Sequence, residues 1–250
     1  MSEFDGKSAI VTGAGSGLGA VYARALGAEG AAVVVADIDG EGAARTATEL
    51  TEEGGRAVGV EVDTSDDDAV ARMVRTAQTA FGGVDILVNN AGWRPAPAGH
   101  HYDDFPDELT SKEWMRILAV NVVGPMICAR ACRPLMAGRG GGAIVNQSSN
   151  AAYTAAGGPY GVSKLAINAL TMSLAEEFAA DGIRVNGIAP GVMTGRGNSK
   201  TLDAAIARQM IARRGTPQDL VGTLLFLCSD RSDFITGQTI LVDGGQTRRI

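Results

Sequence analysis

Short runs of β-branched and other apolar residues alternate along this chain with longer segments whose apolar positions recur every three or four residues. The short runs predict strands at 8–13, 31–37, 57–63, 85–92, 143–149, 183–190 and 238–245. The longer segments predict helices at 17–29, 41–53, 66–81, 111–137, 160–180 and 218–229. Because strand and helix alternate strictly, parallel strands must be joined by crossovers. The pattern therefore predicts an α/β fold, a doubly wound parallel sheet of about seven strands with helices on both faces.

Two long loops interrupt this alternation, at 93–110 and 191–211. Ligands of doubly wound sheets bind beyond the carboxyl ends of the strands. We therefore expect these loops to wall a substrate pocket. The side chains expected to wall this pocket, which would suit an apolar or aromatic substrate, are Trp93, His101, Tyr102, Tyr153 and Met193.

Composition and charge narrow the classes of partner. The 250 residues carry a net charge of -6 and no run of Lys or Arg, which argues against nucleic acid. No apolar run approaches the ~18 residues that span a bilayer, and the N-terminus lacks a signal-peptide pattern. The three cysteines and two histidines have no metal-ligand spacing. We expect a cytoplasmic protein with no membrane span and no metal.

The first predicted strand runs into a glycine-rich turn, VTGAGSGLG (11–19), that opens a helix. Glycines here let backbone N–H groups and the helix N-terminus approach a pyrophosphate, although a merely flexible turn has the same composition. Asp37 ends the next strand, where a carboxylate binds the adenosine ribose hydroxyls and repels a 2′-phosphate. Unless Asp37 is an ordinary turn residue, the cofactor is NAD rather than NADP.

Tyr160 and Lys164 are four residues apart in an otherwise apolar helical segment. This spacing puts both side chains on one face of a helix. The ordinary pKa of a phenol is near 10, and a neighbouring ammonium favours its ionised form. The pair is therefore a candidate acid/base device. A solvated Tyr and Lys on a helix surface is the alternative that the residues alone leave open.

The turn spacing Thr12-Gly13-x3-Gly17-x-Gly19 resembles the short-chain dehydrogenase/reductase family. Further similarities, in the same order as in that family, extend over nearly the whole chain: NNAG (89–92), Asn121 in AVNVVG, IVNQSS (144–149), Tyr160-x3-Lys164, Pro190-Gly191 and FITGQTILVDGG (234–245). The resemblance implies one Rossmann-fold oxidoreductase domain over 1–250.

The resemblance also implies the roles of four catalytic residues. Tyr160 is the acid/base, and Lys164 supports it and binds the nicotinamide ribose. Asn121 bends its helix and holds a water on the proton path. Ser149 is the serine that holds the substrate oxygen, but 11 residues separate it from Tyr160, about two fewer than usual. Since successive strand residues face opposite ways, only one of Ser148 and Ser149 can point into the site, and Ser148 stays an alternative.

The remaining assignments concern the dinucleotide. Asp63 resembles the acid that contacts the adenine amino group, and Asn89 resembles the residue that supports the sheet core. The residues that the resemblance assigns to cofactor binding are Gly13, Gly15, Ser16, Gly17, Leu18, Gly19, Asp37, Ile38, Asp63, Asn90, Ala91, Gly92, Tyr160, Lys164, Pro190, Gly191, Val192 and Thr194.

These observations predict an NAD-dependent oxidoreductase that interconverts a secondary alcohol and a ketone. The alternatives are a non-catalytic dinucleotide-binding regulator on the same fold and an NADPH-dependent 3-oxoacyl thioester reductase. The family further implies a homotetramer, assembled through the helices that carry Asn121 and Tyr160 and through the C-terminal strand.

Overall fold

The computed structural model describes residues 2–94, 109–154, 158–193, 203–204 and 206–248. Within these residues a parallel sheet has the strand order β3-β2-β1-β4-β5-β6-β7. The strands are β1 Ser8–Thr12, β2 Ala32–Asp37, β3 Arg56–Glu61, β4 Ile86–Asn89, β5 Gly142–Gln147, β6 Ile183–Pro190 and β7 Thr239–Val242. The predicted fold class is confirmed.

Helices cover both faces of the sheet. They are α1 Gly17–Ala28, α2 Gly40–Glu52, α3 Asp67–Phe81, α4 Ser111–Leu118, α5 Gly124–Gly138, α6 Gly158–Phe178 and α7 Gln218–Cys228. Alternate strand residues face opposite ways, so Ile10 and Val34 pack with α3, α5 and α6. Val11, Val33 and Val35 pack with α1, α2 and α7 on the other face. Both faces are therefore buried, as continuous apolar strands require.

Side-chain caps set several helix starts. Asp39 precedes α2 and accepts a hydrogen bond from the Gly42 N–H, while Asp66 precedes α3 and accepts from Asp68 and Ala69. Thr110 forms a capping box with Glu113 at the start of α4. These carboxylate and hydroxyl oxygens satisfy N–H groups that have no partner inside the helix.

The single helix predicted at 111–137 is wrong in one respect. A π-helical turn, Ala119–Val123, interrupts it and separates α4 from α5. A π-helical turn holds one residue more than an α-helical turn, and it turns Asn121 into the interior, where the side chain is 1 % exposed. The helix is thus reshaped at the residue that the sequence marked as a helix-bending asparagine.

No uninterrupted apolar run approaches ~18 residues, but one helix of the fold is long enough to span a bilayer. Of the helices in the described residues, the continuous stretch Ser111–Gly138 has the length and apolar composition of such a segment. Ile127, Cys128, Cys132 and Met136 on α5 are, however, buried in the core beside the sheet. The helix therefore occupies the place of a core helix, and its length is no evidence for a membrane.

Five strands, β1, β3, β4, β5 and β7, end earlier than predicted, and the ends of β4 and β5 shape the site. β4 ends at Asn89 instead of residue 92, and β5 ends at Gln147 instead of residue 149. The residues that follow leave the sheet at its carboxyl edge. The strand order reverses between β1 and β4, and this is where doubly wound sheets open a ligand crevice.

Candidate active site

A cavity of ≈ 950 Å³ opens beyond the carboxyl ends of β1, β2, β4, β5 and β6. It brings together most of the residues that the sequence singled out, although they come from seven separate stretches of chain. The predicted residues that line it are Gly13, Ser16, Leu18, Asp37, Ile38, Asp63, Asn90, Ala91, Gly92, Ser148, Ser149, Tyr160, Lys164, Pro190, Gly191 and Val192. Thr194, like His101 and Tyr102, lies outside the described residues.

The glycine-rich turn brings β1 into the N-terminus of α1. Gly17 has a φ of 56°, a left-handed conformation that favours glycine. A Cβ on Gly19 would lie 2.1 Å from the Gly13 carbonyl oxygen, so the turn closes only because Gly19 has no side chain. Gly15, Gly17 and Gly19 shape the turn but do not line the cavity. Ser16 precedes α1 without a side-chain cap, which leaves the first helical N–H groups available to an anion.

Asp37 stands at the end of β2 with both carboxylate oxygens held in place. Its Oδ2 accepts a hydrogen bond from the Gly15 N–H at 2.8 Å, and its Oδ1 accepts from the Asp39 N–H at 3.0 Å. Ile38 follows it with 60 % of its surface exposed. The carboxylate is therefore tied to the glycine turn and faces the cavity at a fixed point.

Asp63 lies at the same end of the cavity, beyond β3. Hydrogen bonds from the Ser65 hydroxyl at 2.6 Å and the Ser65 N–H at 2.9 Å lower the pKa of Asp63, and the positive charge of Arg116 lowers it further. Asp63 is thus a carboxylate at neutral pH. It can accept hydrogen bonds but has no proton to donate.

Hydrogen bonds to Thr12, the last residue of β1, hold the segment after β4 in place at the crevice between the two strands. The Thr12 hydroxyl oxygen accepts from the backbone N–H groups of Asn90 and Ala91, each at 3.1 Å. The Asn90 amide donates to the carbonyls of Thr12 and Gly13. Asn89 points away from the cavity, and its amide donates to Asn146 Oδ1 at 2.9 Å inside the core. Asn89 therefore has the supporting position that the sequence predicted.

Tyr160 and Lys164 project into the cavity from the first turns of α6. Lys164 Nζ lies 5.5 Å from the centroid of the Tyr160 ring. The Lys164 side chain is almost fully buried, and its ammonium donates to the Gln147 carbonyl at 2.8 Å. Sequence reasoning missed Gln147, because its main-chain carbonyl carries no residue-specific signal. The predicted pair is thus brought together beside the end of β5.

Both serines lie past the end of β5, so strand alternation does not decide between them. Ser148 is 3 % exposed, and its hydroxyl donates to the Lys164 carbonyl at 3.2 Å. The Ser149 hydroxyl oxygen accepts from the Ala151 N–H at 3.1 Å and caps a short 3-10 helix, Asn150–Tyr153. Both residues line the cavity, but the Ser148 hydroxyl is engaged by the Lys164 carbonyl, and the choice of Ser149 stays a prediction.

Asn121 lies behind the cavity wall and joins three elements. Its amide Nδ2 donates to the Ser163 hydroxyl on α6 at 3.1 Å and to the Trp93 carbonyl at 3.0 Å. Its Oδ1 accepts from the Trp93 N–H at 2.7 Å. A Cβ on Gly92 would lie 3.5 Å from Asn121 Oδ1 and 3.8 Å from Lys164 Nζ, so both groups converge on Gly92. Asn121 therefore fixes the chain after β4 against the helix of Tyr160.

Three arginines line the cavity that sequence reasoning did not identify: Arg94, Arg116 and Arg208. Arg94 Cζ lies 5.9 Å from the centroid of the Tyr160 ring, and Arg116 Cζ lies 5.0 Å from that of the Trp93 ring. Isolated arginines give no pattern, whether in a loop or, like Arg116, in a helix, so no signal in the sequence could have selected them. Trp93 and Met193 line the cavity as expected. The Tyr153 hydroxyl accepts from the Asn168 amide at 2.8 Å.

Comparison with known proteins decides the family. The family model described as enoyl-(acyl carrier protein) reductase matches residues 13–247. An uncharacterized oxidoreductase of Mycobacterium tuberculosis is 49% identical over an alignment of 251 positions that covers 98% of this chain and 99% of the relative. A crystal structure of a short-chain type dehydrogenase/reductase from Mycobacterium marinum has a TM-score of 0.88 at 31% identity, covering 99% of this chain and 98% of the other. The chain belongs to the short-chain dehydrogenase/reductase family.

A relative named for its substrate is also similar, at lower identity. The cis-4-hydroxycyclohexanecarboxylate dehydrogenase of Sinomonas cyclohexanicum is 38% identical over an alignment of 250 positions that covers 98% of this chain and 98% of the relative. These relatives make the protein an oxidoreductase whose fold binds a nicotinamide dinucleotide.

The residues of this short-chain dehydrogenase/reductase fit a nicotinamide dinucleotide. The uncapped N-terminus of α1 has N–H groups that can bind a pyrophosphate, and the Asp37 carboxylate can accept hydrogen bonds from ribose hydroxyls. Asp63 and Ile38 line the cavity beyond β3 and β2, and Tyr160, Lys164 and Pro190–Val192 line it beside the ends of β5 and β6. The lining of the cavity thus extends from the end of β3 to the end of β6.

Proposed function

We propose that this protein is an NAD-dependent oxidoreductase that interconverts a secondary alcohol and a ketone. One observation carries the proposal. A single cavity holds a fixed carboxylate, Asp37, at its ribose end, and Ser149, Tyr160 and Lys164 together at its other end. The first feature suits a nicotinamide dinucleotide, and the second suits proton transfer to or from a substrate oxygen.

The preference for NAD over NADP rests on Asp37. Its two oxygens are already oriented by Gly15 and Asp39, so little rearrangement is needed before they accept ribose hydroxyls. A 2′-phosphate at the same place would meet a like charge. The segments 13–19 and 38–44 contain no Lys or Arg to offset it. The same argument counts against an NADPH-dependent 3-oxoacyl thioester reductase.

The catalytic roles follow from the hydrogen-bonding groups. When bound, the nicotinamide supplies the hydride acceptor for oxidation and, in its reduced form, the hydride donor for reduction. The Ser149 hydroxyl holds the substrate oxygen. Tyr160 takes the proton from the alcohol as its phenolate, and as the phenol it returns the proton to the ketone oxygen. The Lys164 ammonium stabilises the phenolate that forms on Tyr160, and the bonds of Asn121 to Trp93 and Ser163 keep this wall of the site rigid.

The substrate class is supported by the cavity wall and by one relative. Trp93, Val120, Val192 and Met193 make an apolar lining beside the polar catalytic groups. The relative from Sinomonas cyclohexanicum is named for a ring that carries a secondary hydroxyl. Both observations favour a secondary alcohol with an apolar body.

Initial rates of NADH formation test the proposal. Aliphatic, aromatic and alicyclic secondary alcohols are assayed with NAD and NADP in parallel, and the matching ketones are assayed with NADH. Turnover of at least one class, faster with NAD, is the expected result. Tight NAD binding without turnover of any alcohol or ketone would favour the non-catalytic regulator instead.

We also propose a homotetramer in the cytoplasm. Val162, Leu165 and Met172 on α6 each expose more than half of their surface, and Met115 on α4 is 66% exposed. Apolar side chains grouped on helix surfaces are typical of faces that pack against another copy. Light scattering coupled to gel filtration measures the mass directly, and a monomer at micromolar concentration would contradict the tetramer.

A further inference from the structure

We propose that Tyr22 positions the catalytic groups by acting through Gln147. Tyr22 lies on α1, is completely buried and does not line the cavity. Its hydroxyl donates to the side chain of Gln147, the last residue of β5, at 3.0 Å. The inference rests on the proposed function, because the groups that Gln147 holds in place are Lys164 and Ser149.

The peptide group between Gln147 and Ser148 is held from both sides. Its N–H donates to the Ile188 carbonyl on β6 at 2.7 Å. The carbonyl of a trans peptide points away from its N–H, so this one faces the side on which β4 ends at Asn89. There it accepts a hydrogen bond from the Lys164 ammonium at 2.8 Å. The position of the ammonium therefore depends on the orientation of one peptide group.

The Gln147 side chain restrains the same stretch of backbone a second time. Its amide nitrogen donates to the carbonyls of Ser148 and Ile188, each at 3.3 Å. The Ser148 carbonyl belongs to the peptide group that joins Ser148 to Ser149. One side chain thus restrains both the peptide group that binds Lys164 and the peptide group that leads into Ser149.

Tyr22 determines which end of the Gln147 amide faces these carbonyls. A carboxamide has a donor end and an acceptor end, and only its nitrogen can donate to a carbonyl. Because the Tyr22 hydroxyl binds Oε1, the nitrogen is directed towards Ser148 and Ile188. Burial raises the pKa of Tyr22 well above its ordinary value, so the hydroxyl stays protonated and remains a donor.

Loss of the Tyr22 hydroxyl would remove this restraint without removing the ring from the core. The Gln147 amide would be free to rotate, and the two peptide groups that it holds would be less restrained. A displacement of about 1 Å at a catalytic group can lower a rate by about 100-fold. A side chain outside the cavity can therefore control the geometry inside it.

Four variants test this role. Tyr22→Phe removes only the hydroxyl, and Gln147→Met removes the side-chain amide but keeps the main-chain carbonyl. The third variant combines the two substitutions. Ser232→Ala is the matched control, because its hydroxyl is also almost completely buried but binds Arg184 at the amino end of β6, at the opposite edge of the sheet.

Amide hydrogen exchange tests the coupling without cofactor or substrate. Mass spectrometry follows exchange in peptides that cover 142–150, relative to peptides from β2, so that a uniform loss of stability cancels. Tyr22→Phe and Gln147→Met are each expected to speed the relative exchange at the end of β5 by about 3- to 10-fold. Ser232→Ala should leave this ratio unchanged.

Nucleotide binding tests the consequence for Lys164. In the proposed function NADH reaches from Asp37 to the end of the cavity that contains Lys164, whereas ADP occupies only the Asp37 end. Calorimetric titration gives the dissociation constants of both. Tyr22→Phe should weaken NADH binding by about 3- to 10-fold and change ADP binding by less than about 2-fold. Ser232→Ala should change neither.

The double variant separates positioning from stability. Gln147→Met leaves the Tyr22 hydroxyl buried without its acceptor, so adding Tyr22→Phe should raise the melting temperature. The NADH affinity relative to ADP should stay as low as in Gln147→Met alone, because Tyr22 acts through Gln147. A further decrease of this ratio in the double variant would contradict the assigned route.

The outcomes distinguish this inference from the proposed function. Unchanged relative exchange in Tyr22→Phe, or an unchanged NADH-to-ADP ratio beside faster exchange, would overturn the inference even if alcohols are oxidised. Changes in both quantities that Ser232→Ala does not share support it, even if no alcohol is turned over. If NADH does not bind the unsubstituted protein, the proposed function is contradicted and the exchange ratio alone decides the role of Tyr22.

Discussion

The ammonium of Lys164 donates a hydrogen bond to the main-chain carbonyl of Gln147 at 2.8 Å and lies 5.5 Å from the centroid of the Tyr160 ring. The last residue of β5 therefore anchors the cation that the proposed mechanism requires. Because the Gln147 carbonyl is part of a strand, the backbone of the sheet positions the ammonium. The Gln147 amide adds hydrogen bonds to the carbonyls of Ser148 and Ile188, and the buried Tyr22 hydroxyl donates to the Gln147 side chain at 3.0 Å.

Tyr160→Phe removes the hydroxyl that exchanges a proton with the substrate and keeps the ring in the cavity wall. Loss of a general acid/base typically costs about 10²- to 10⁴-fold in rate. We expect kcat to fall by that amount, while the dissociation constant for NADH changes by less than about 3-fold. Steady-state rates and NADH fluorescence titration measure the two quantities. Turnover close to that of the unsubstituted protein would remove Tyr160 from the acid/base role.

Ser149→Ala and Ser148→Ala separate the two serines that line the cavity. The Ser148 hydroxyl is engaged with the Lys164 carbonyl in the interior, so its loss should chiefly lower stability, by about 1 kcal/mol. Ser149→Ala should lower kcat/KM by about 10²-fold with little change in melting temperature. Melting curves and initial rates are compared for both variants. The assignment would be reversed if Ser148→Ala abolished turnover in a protein of unchanged stability.

Asp37→Asn removes the charge at the ribose end but keeps an oxygen that accepts from the Gly15 N–H. We expect the ratio of kcat/KM for NAD to that for NADP to fall by about 10- to 100-fold, because a 2′-phosphate no longer meets a carboxylate. Adding Ile38→Arg at the exposed next position should favour NADP further. As the control, kcat/KM with NAD is measured for each variant. An unchanged cofactor ratio in both variants would show that Asp37 does not discriminate.

Gly19→Ala and Gly222→Ala place the same methyl group in two helices. At Gly19 the Cβ would lie 2.1 Å from the Gly13 carbonyl oxygen, whereas at Gly222, on α7, no atom beyond its chain neighbours and its own helix backbone would lie within 4 Å of the Cβ. We expect Gly19→Ala to lower the free energy of unfolding by about 1–3 kcal/mol or more and to weaken NADH binding. Gly222→Ala should raise it by up to about 1 kcal/mol, since alanine favours a helix. Urea unfolding of both variants measures the difference, and equal stabilities would contradict the close approach in the turn.

The three thiols should be unreactive in the folded protein. Burial raises the pKa of Cys128 and of Cys228 to about 12 and that of Cys132 well above its ordinary value. Only thiolates react readily with an aromatic disulfide reagent. At pH 8 we expect no labelling of native protein during the time in which guanidinium-unfolded protein labels fully. Rapid labelling of one native thiol would show that its site opens.

The same thiols predict how stability depends on pH. Unfolded thiols ionise near pH 8.5, but the folded environment keeps them protonated to a much higher pH. Their contribution to stability is therefore complete below about pH 8.5 and is lost progressively as the pH rises towards 12. Cys228→Ser should make the decline above pH 8.5 less steep in urea titrations. An unchanged slope would contradict this contribution of Cys228.

The amino-acid sequence by itself determined the strand and helix alternation, the glycine turn and the acid that ends β2. It also placed Tyr160 and Lys164 one turn apart. These features depend on local properties: apolar periodicity, conformational freedom of glycine and spacing along one helix. They can therefore be recognised without the tertiary structure.

Only the tertiary structure decided which groups from distant segments meet. Three features depend on packing between α5, α6 and the sheet. They are the π-helical turn at Asn121, the position of Ser148 and Ser149 beyond the end of β5, and the hydrogen bond from Lys164 to the Gln147 carbonyl. Arg94 and Arg208 are separated by more than a hundred residues and lie in irregular segments, yet they line the same half of one cavity. Apolar periodicity does not show which distant residues lie close together in the fold. The crossovers of a parallel sheet bring together strand ends that are far apart in the chain.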